Sequence, residues 1–346
     1  MLTVFGVISV IFFLFTILPG DPAQMMLGQN QSSEQLKMVQ KKYGFDKSIQ
    51  QQYVYYLNDL SIVSVHSKNK DDYTYFDLQK YDGIKLLSIG KVEIALKAPY
   101  LRESFQKSGK KVSSIIGETL PNTLILAVSA IVLALILGLF MGVISALNQD
   151  NWVDKSLQIF STLGMSVPSF FSAIIFAWLF GYLLHDFTGL DMTGSLYELD
   201  DFGERYSLHL KNLILPAIVM GIRPVAVVTQ LMRNSLLEVL QQDYIRTARA
   251  KGLSEFKVIW RHAIKNSLNP VVTAVSGWFA SMLAGAVFVE YIFGWNGLGK
   301  EIVEALNTLD LPVIMGSVLT IAIIFILINI FVDILYARLD PKVKSR

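Results

Sequence analysis

The sequence predicts an all-α membrane protein with six transmembrane helices and a long polar segment between the first and the second. Three observations lead there. Of 346 residues, 53% are hydrophobic and only 17% charged, with a mean hydropathy of +0.46, whereas a soluble domain carries about 25% charged residues. Apolar runs recur at the length, roughly 20 helical residues, that a hydrocarbon core about 30 Å thick requires. Finally, Lys and Arg collect in some of the short loops while Asp and Glu collect in others.

Taken in order, the first span covers 2–18 and is short, within a first segment 1–18. No basic stretch precedes it and no A-x-A-like site ends it, so it does not read as a cleaved signal peptide. The second span is 119–147, the third about 157–184 with Pro168 inside, and the fourth about 213–232 with Pro216 and Pro224. The fifth is about 271–293 and the sixth about 313–335. Pro and Gly are tolerated in such helices where neighbours satisfy the freed carbonyls. The small residues of GWFASMLAG (277–285) suit close helix packing.

Charge sets the orientation. Segment 233–267 carries seven basic residues (Arg233, Arg246, Arg249, Lys251, Lys257, Arg261, Lys265) against three acidic, and the tail adds Arg338, Lys342, Lys344 and Arg346. Loop 186–212 has six acidic residues against two basic, and loop 290–311 four against one. Six spans put 233–267 and the C-terminus on one side, which the basic excess marks as cytoplasmic. Segment 19–117 then lies outside despite its lysines, because long loops translocate largely regardless of charge.

Within that external segment, 33–60 reads as helix, turn and helix, broken at Gly44 and carrying the aromatic run YVYYL, and KVEIALKA (91–98) alternates like a strand. With no cysteine anywhere in the chain, a segment of this size is expected to have little core of its own. A small cap over the external mouth is preferred to an independent binding domain. Missing cysteines also exclude thiol nucleophiles and thiolate metal sites. His66, His185, His209 and His262 show no ligand spacing.

The stretch YIRTARAKGLSEFKVIWRHAIKNSLNP (244–270) resolves into two short helices. Gly252 suits the left-handed position just past a helix C-terminus, and Ser254 suits the N-cap of the next helix. Phe256, Ile259, Trp260, Ala263 and Ile264 then fall on one apolar face, opposite Lys257, Arg261 and Lys265. Lying on anionic lipid would explain such a helix, but not a helix–Gly–helix module tied to a span at each end.

At these residues the chain resembles the permease subunit of bacterial ATP-binding-cassette (ABC) importers, in the peptide/nickel branch, whose cytoplasmic "EAA" loop carries a glycine. The matching piece is Arg246-Thr247-Ala248 followed by Gly252, with Arg246 in place of the motif's Glu and Thr247 in place of its first Ala, as in the peptide branch. PGDPA (19–23), LPNTL (120–124), RNSLLEVLQQDYIRTARAKG (233–252) and EYIFGWNGLG (290–299) resemble the same branch, with Asn296 where Pro is usual. About 61–98 is extra relative to typical members.

The resemblance implies a type I importer permease architecture, with TM2–TM6 and the coupling loop 233–267 forming a core domain over 118–346. It implies a permease of oligopeptides or dipeptides in the bacterial cytoplasmic membrane, with nickel or a metal chelate as the alternative cargo. It further implies two separate ATPase subunits that use ATP and Mg²⁺, a second homologous permease, and an extracytoplasmic binding protein or lipoprotein. No cofactor on this chain, no enzyme activity of its own and no nucleic-acid partner are expected. The coupling residues are then Arg246, Thr247, Ala248, Arg249, Lys251, Gly252, Phe256, Ile259, Trp260 and Arg261, with Phe256, Ile259 and Trp260 as apolar anchors.

Arg223 and Glu290 are candidates for the substrate path, since ionisable groups inside a span tend to face polar cavities. For Arg223, pairing with a carboxylate or snorkelling is favoured over contact with cargo. Asp333 reads as structural. GWNGLGKE (294–301) nearly fits a phosphate loop, but Glu301 replaces the hydroxyl and no strand precedes it. A self-contained secondary transporter would need buried acids and internal repeats, and a sensor would need an output domain. Neither pattern is evident.

Overall fold

The computed structural model describes residues 2–16, 23–24, 32–200 and 205–339. Most of PGDPA (Pro19, Gly20, Asp21, Pro22), Asp201 and Glu204 of the acidic loop, the Asp333 and Arg338 side chains, and Lys342, Lys344 and Arg346 lie outside the described residues.

The elements run α1 (Leu2–Thr16), α2 (Ser33–Tyr43), α3 (Ile49–Leu60), β1 (Val63–Ser67), β2 (Gly83–Ile89), β3 (Val92–Lys97), α4 (Val112–Leu147), α5 (Trp152–Ser166) and α6 (Ser169–Phe176). The last of these is extended by a π-helical stretch (Ala177–Leu183). Then come α7 (His185–Thr188), the hairpin β4 (Tyr197–Leu199) and β5 (Tyr206–Leu208), α8 (Ile214–Leu240), α9 (Asp243–Ala250), α10 (Glu255–Lys257), a second π-helical stretch (Val258–Ala263), α11 (Ile264–Ser267), α12 (Asn269–Phe293), α13 (Leu298–Thr308) and α14 (Leu311–Leu339).

Among the described residues three helices are long and apolar enough to cross a membrane, at Val112–Leu147, Leu210–Leu240 and Leu311–Val332, and counting each of two bent pairs as one span makes five. The segment expected to be the first span forms an apolar helix of 15 residues, shorter than the helices counted above. The third expected span is not straight: Trp152–Ser166 and Ser169–Leu183 meet at 106°. Pro168 is the cause, since proline cannot donate to the preceding turn and drives the residue before it out of the helical region; Val167 is extended at φ −81°, ψ 129°. The fourth expected span does not stop at Met232 but continues as helix to Leu240.

The chain forms two compact units, Met1–Glu118 with Glu301–Ile323, and Thr119–Lys300 with Ile324–Arg346. In the first, Ser32 and Gln35 build a reciprocal capping box at the start of α2, and Gly44 ends that helix at φ 73°, so the helix–turn–helix over 33–60 forms as its residues suggest. Ile11 and Phe12 of α1 pack with Tyr56 of α3 and Met315 and Leu319 of α14, and Leu60 joins the same cluster.

The expectation of little core and one strand for the rest of this unit is corrected. A three-stranded antiparallel sheet in the order β1-β3-β2 fills 63–97, and Phe76, Tyr81 and Ala95 are buried beneath it with Tyr100 packed against them. Asp59 at the end of α3 holds this core together, accepting hydrogen bonds from the Tyr73 hydroxyl (2.7 Å), the Tyr81 hydroxyl (3.2 Å) and Arg102 Nε (3.1 Å). Lys80 Nζ lies 3.6 Å from the Tyr73 ring centroid and donates to the Tyr73 carbonyl at 2.8 Å. Burial pushes its pKa down to about 8.

In the second unit α8 is the central helix, with α5, α6 and α12 against it. Glycines at 138 and 142 of α4 allow close approach to α8: a Cβ at Gly138 would strike Val228, and one at Gly142 would strike Met232. Among the described residues, nothing lies within 4 Å of a Cβ built at Gly277 or Gly285 of the 277–285 stretch.

Candidate functional site

The site is the helical hairpin following α8. Helix α9 closes with two hydrogen bonds, Gly252 N–H to the Arg249 carbonyl at 2.9 Å and Leu253 N–H to the Ala248 carbonyl at 3.4 Å. This 5→2 and 6→1 pairing is a Schellman motif. It places Gly252 at φ 76°, a left-handed conformation that a side chain resists. Among the described residues a Cβ there would meet nothing within 4 Å, so the backbone angle is what requires glycine. Ser254 caps α10 in extended geometry (φ −61°, ψ 147°) without a side-chain bond. Across the turn, Arg249 Nε pairs with Glu255 at 2.8 Å, and Asn266 donates to the Tyr244 hydroxyl at 2.9 Å.

The hairpin has two faces, and they differ from the single apolar face the periodicity suggests. Ile245, Ala248, Val258 and Ala263 are buried with Val228, Met232 and Leu236 of α8, Ala146 of α4 and Val271 of α12, and Ile264 packs against this cluster. Phe256 and Trp260 point the other way, 70% and 60% exposed, with ring centroids 6.0 Å apart; Ile259 is half-buried. The π-helical stretch over Val258–Ala263 widens the turn. Residues three and four apart therefore no longer share a face as they would in an α-helix. Arg246, Thr247, Arg249, Lys251, Lys257 and Arg261 are exposed around the two rings, and Arg246 reaches Asp243 at 3.6 Å.

One feature of the site has no counterpart in the sequence reading. Arg233, counted there as a loop cation, forms a two-pronged ion pair with Asp154 at the start of α5, Nε to Oδ1 at 2.7 Å and Nη2 to Oδ2 at 2.6 Å. Asp154 is 1% exposed and also accepts from Ser145 Oγ, the Asp150 amide and Gln158 Nε2. It thus ties the end of α4, the start of α5 and the last turns of α8 just before the hairpin. The available signal was an acid just before one apolar run and a base at the end of another.

The two candidates for the substrate path lie apart in character. Arg223 is exposed in the middle of α8 and unpaired among the described residues. Its spacing to Gln230 and Asn234 puts three polar groups on one face of the helix. Glu290 is fully buried. Its Oε2 accepts from the Gly299 and Lys300 amides at 2.7 and 3.2 Å, capping α13. Those are the amides a phosphate would need, so the near-phosphate loop is already filled by an internal carboxylate. A Cβ at Gly297 would fall on the Glu290 carboxyl.

The same turn is joined to the LPNTL stretch. Trp295 Nε1 donates to the Asn122 carbonyl at 3.1 Å, Leu298 N–H to Thr123 Oγ1 at 2.8 Å, and Asn122 Nδ2 to the Asn296 carbonyl at 2.8 Å. Two segments 170 residues apart in sequence that resembled one branch independently are therefore one structure.

This arrangement of helices is a type I ABC importer permease fold. It superposes on a chain of the methionine ABC transporter MetNI in an inward-facing conformation with a TM-score of 0.51, at 13% identity, over 66% of this chain and 97% of that one. Residues 134–345 match the family described as binding-protein-dependent transport system inner membrane component, and 1–127 match its N-terminal counterpart. The chain belongs to that family. Among curated relatives, the dipeptide transport system permease protein DppB of Alkalihalophilus pseudofirmus is 32% identical over 98% of this chain and 95% of its own length. The di/tripeptide transport system permease protein DppB of Pseudomonas aeruginosa is 32% identical over 99% and 96%. A putative peptide transport system permease protein of Brucella abortus is 35% identical over 96% and 92%.

Proposed function

We propose that this chain is the membrane-spanning subunit of an ATP-driven importer that carries peptides across the bacterial cytoplasmic membrane. The relatives' names support the cargo class. In this reading α1 is the first of six crossings, 19–117 is extracytoplasmic, and the C-terminus and the hairpin are cytoplasmic. A second homologous permease completes the pathway, an external binding protein delivers the peptide, and two ATPase subunits supply ATP and Mg²⁺ chemistry. Arg223, Gln230 and Asn234 face that pathway, with Arg223 offering charge to a peptide carboxylate.

The observation that carries this reading is the two-sided hairpin. Its inner face is packed into the ends of α4, α8 and α12, while Phe256 and Trp260 stand out among cations. Short apolar helices with such anchors seat in grooves on partners. A pull on the outer face passes to the spans as a rigid-body motion. An aromatic anchor of this kind contributes about 2 kcal/mol or more at an interface, on the order of 30-fold in affinity.

Co-expression with candidate partner ATPases, followed by gentle detergent extraction, tests the proposal. The unaltered chain should retain an ATPase pair. Trp260→Asp should insert normally but lose that pair and lose peptide uptake. Full uptake by Trp260→Asp, or uptake with no ATPase bound to the unaltered chain, overturns the assignment.

A further inference from the structure

The sheet of the first unit is inside out. Strand pairing aligns Val63, Leu96 and Ile84 across the three strands, and likewise Val65, Ile94 and Leu87. The opposite face holds Ser64, His66, Ala95 and Lys97, all buried. The polar face thus lies against the protein, with His66 between Phe76 and Tyr81. The aliphatic face is bare: Val63, Val65, Ile84, Leu87, Ile89 and Leu96 are each 40–64% exposed. Contiguous apolar surface of this kind marks a site of contact with protein or membrane.

Two observations select the membrane. The first is continuity with surface that is already apolar. Tyr53 of α3 packs at a tilt against Phe12 and Phe13 of α1 and hydrogen-bonds Ser9 at 2.6 Å, and Tyr56 packs with Met315, one turn inside the span that begins at Leu311. Leu60 still belongs to that cluster, and β1 starts three residues later. Val54 and Tyr55 of α3 line one groove together with Val65 and Val92 of the sheet, with Asn58 and Lys91 also at its wall. Apolar helix, tyrosine-rich helix and aliphatic sheet therefore follow one another, with Asn58 between the last two turned to the Val65 backbone by a pair of hydrogen bonds (2.9 and 2.8 Å), and tyrosines are the residues that settle at a membrane interface. The second observation is composition. The paired positions of this face offer Val, Ile, Leu and Ser, with no Tyr, Trp or Arg of the sort that anchors a protein partner. Lys68 and Lys91 are exposed at one end of it, where anionic headgroups favour cations.

We infer that this face of the β1-β3-β2 sheet rests in the headgroup–acyl boundary of the bilayer, so that residues 61–98 form an interfacial anchor built from strands. The inference depends on the chain being embedded in a membrane and is independent of its cargo.

The absence of cysteine makes single-thiol labelling direct. Val65→Cys, Leu87→Cys and, on the opposite face, Ser88→Cys can each carry a polarity-sensitive fluorophore in the full chain, reconstituted in nanodiscs of phosphatidylcholine and phosphatidylglycerol. Phosphatidylcholine brominated near the headgroup should quench positions 65 and 87 about twofold or more and leave 88 unchanged, while aqueous iodide should quench 88 alone. Equal iodide access at all three positions overturns the inference. So does efficient oxidative cross-linking of Leu87→Cys, unlabelled, to a second copy or to another subunit, because the face would then be occupied by protein.

Discussion

Gly252 shows how little of a residue's role lies in what it touches. Its surroundings among the described residues are open, and its φ of 76° is what demands glycine. Gly252→Val should cost about 1–2 kcal/mol through the left-handed backbone, loosening the hairpin and reducing the amount of ATPase retained on extraction. Gly252→Asn should be close to neutral, since Asn visits that region. Asp154 is the opposite case, defined wholly by partners. Asp154→Asn, or Arg233→Met alone, leaves a buried group without its counter-charge and should cost about 3 kcal/mol or more, seen as a lower melting temperature in detergent. Replacing both with apolar residues of similar volume should cost less than either single change. Phe256 and Trp260 were legible as apolar residues of the hairpin, but their exposure on a face apart from Ala263 and Ile264 was not, because a π-helical stretch leaves no mark in a pattern read at the α-helical period.

At the scale of elements, the turn between α12 and α13 shows why glycine-rich stretches mislead when read as motifs. Gly297 and Gly299 make room for the Glu290 carboxylate, which caps α13 from within. Gly297→Ala places a methyl group on that carboxyl and should destabilise by about 1–3 kcal/mol. Glu290→Ala should also destabilise, by leaving the amides uncapped. The double variant should fall short of the sum of the two, because the clash disappears with the carboxyl; thermal melting of the three variants measures the difference. Spans two, four and six were legible because each is a long apolar run. The bend at Pro168 was legible as a proline and not as an angle, since the direction taken after a break depends on what the second half packs against. Strand β2, GIKLLSI, escaped notice because a mostly apolar run without clean alternation carries no period of two.

For the molecule as a whole, the first unit makes a prediction about pH. In the folded state Lys80 gives up its proton near pH 8, against 10.5 for an unburied lysine. Between these values the unfolded chain binds the extra proton, so stability rises with pH. Burial holds Tyr73 and Tyr81 protonated beyond their ordinary 10.0, so the trend turns downward above about pH 10, where tyrosines of the unfolded chain ionise. Thermal scans between pH 7 and 10 should show the first unit melting later as pH rises, and Lys80→Met should flatten the dependence. If the unit melted earlier at pH 9 than at pH 7, Lys80 would not be the buried cation described. Hydropathy places the chain in the membrane and charge proposes its sidedness, whereas the two-unit division, with 301–323 joining the N-terminal segment, arises from contacts between residues far apart in the chain.

Properties carried by neighbours along the chain were settled by the sequence alone. They include the apolar runs, the break at Gly44, the turn at Gly252 and the cationic stretch around it. Properties that need a distant partner were decided only by the tertiary structure: the Asp154–Arg233 pair, the burial of Glu290, the Asn122–Asn296 junction and the outward aliphatic sheet. The reason is physical. Helix propensity, capping and hydropathy are local free energies, while burial, ion pairing and the choice of exposed face depend on which surface arrives opposite, and no local pattern specifies that.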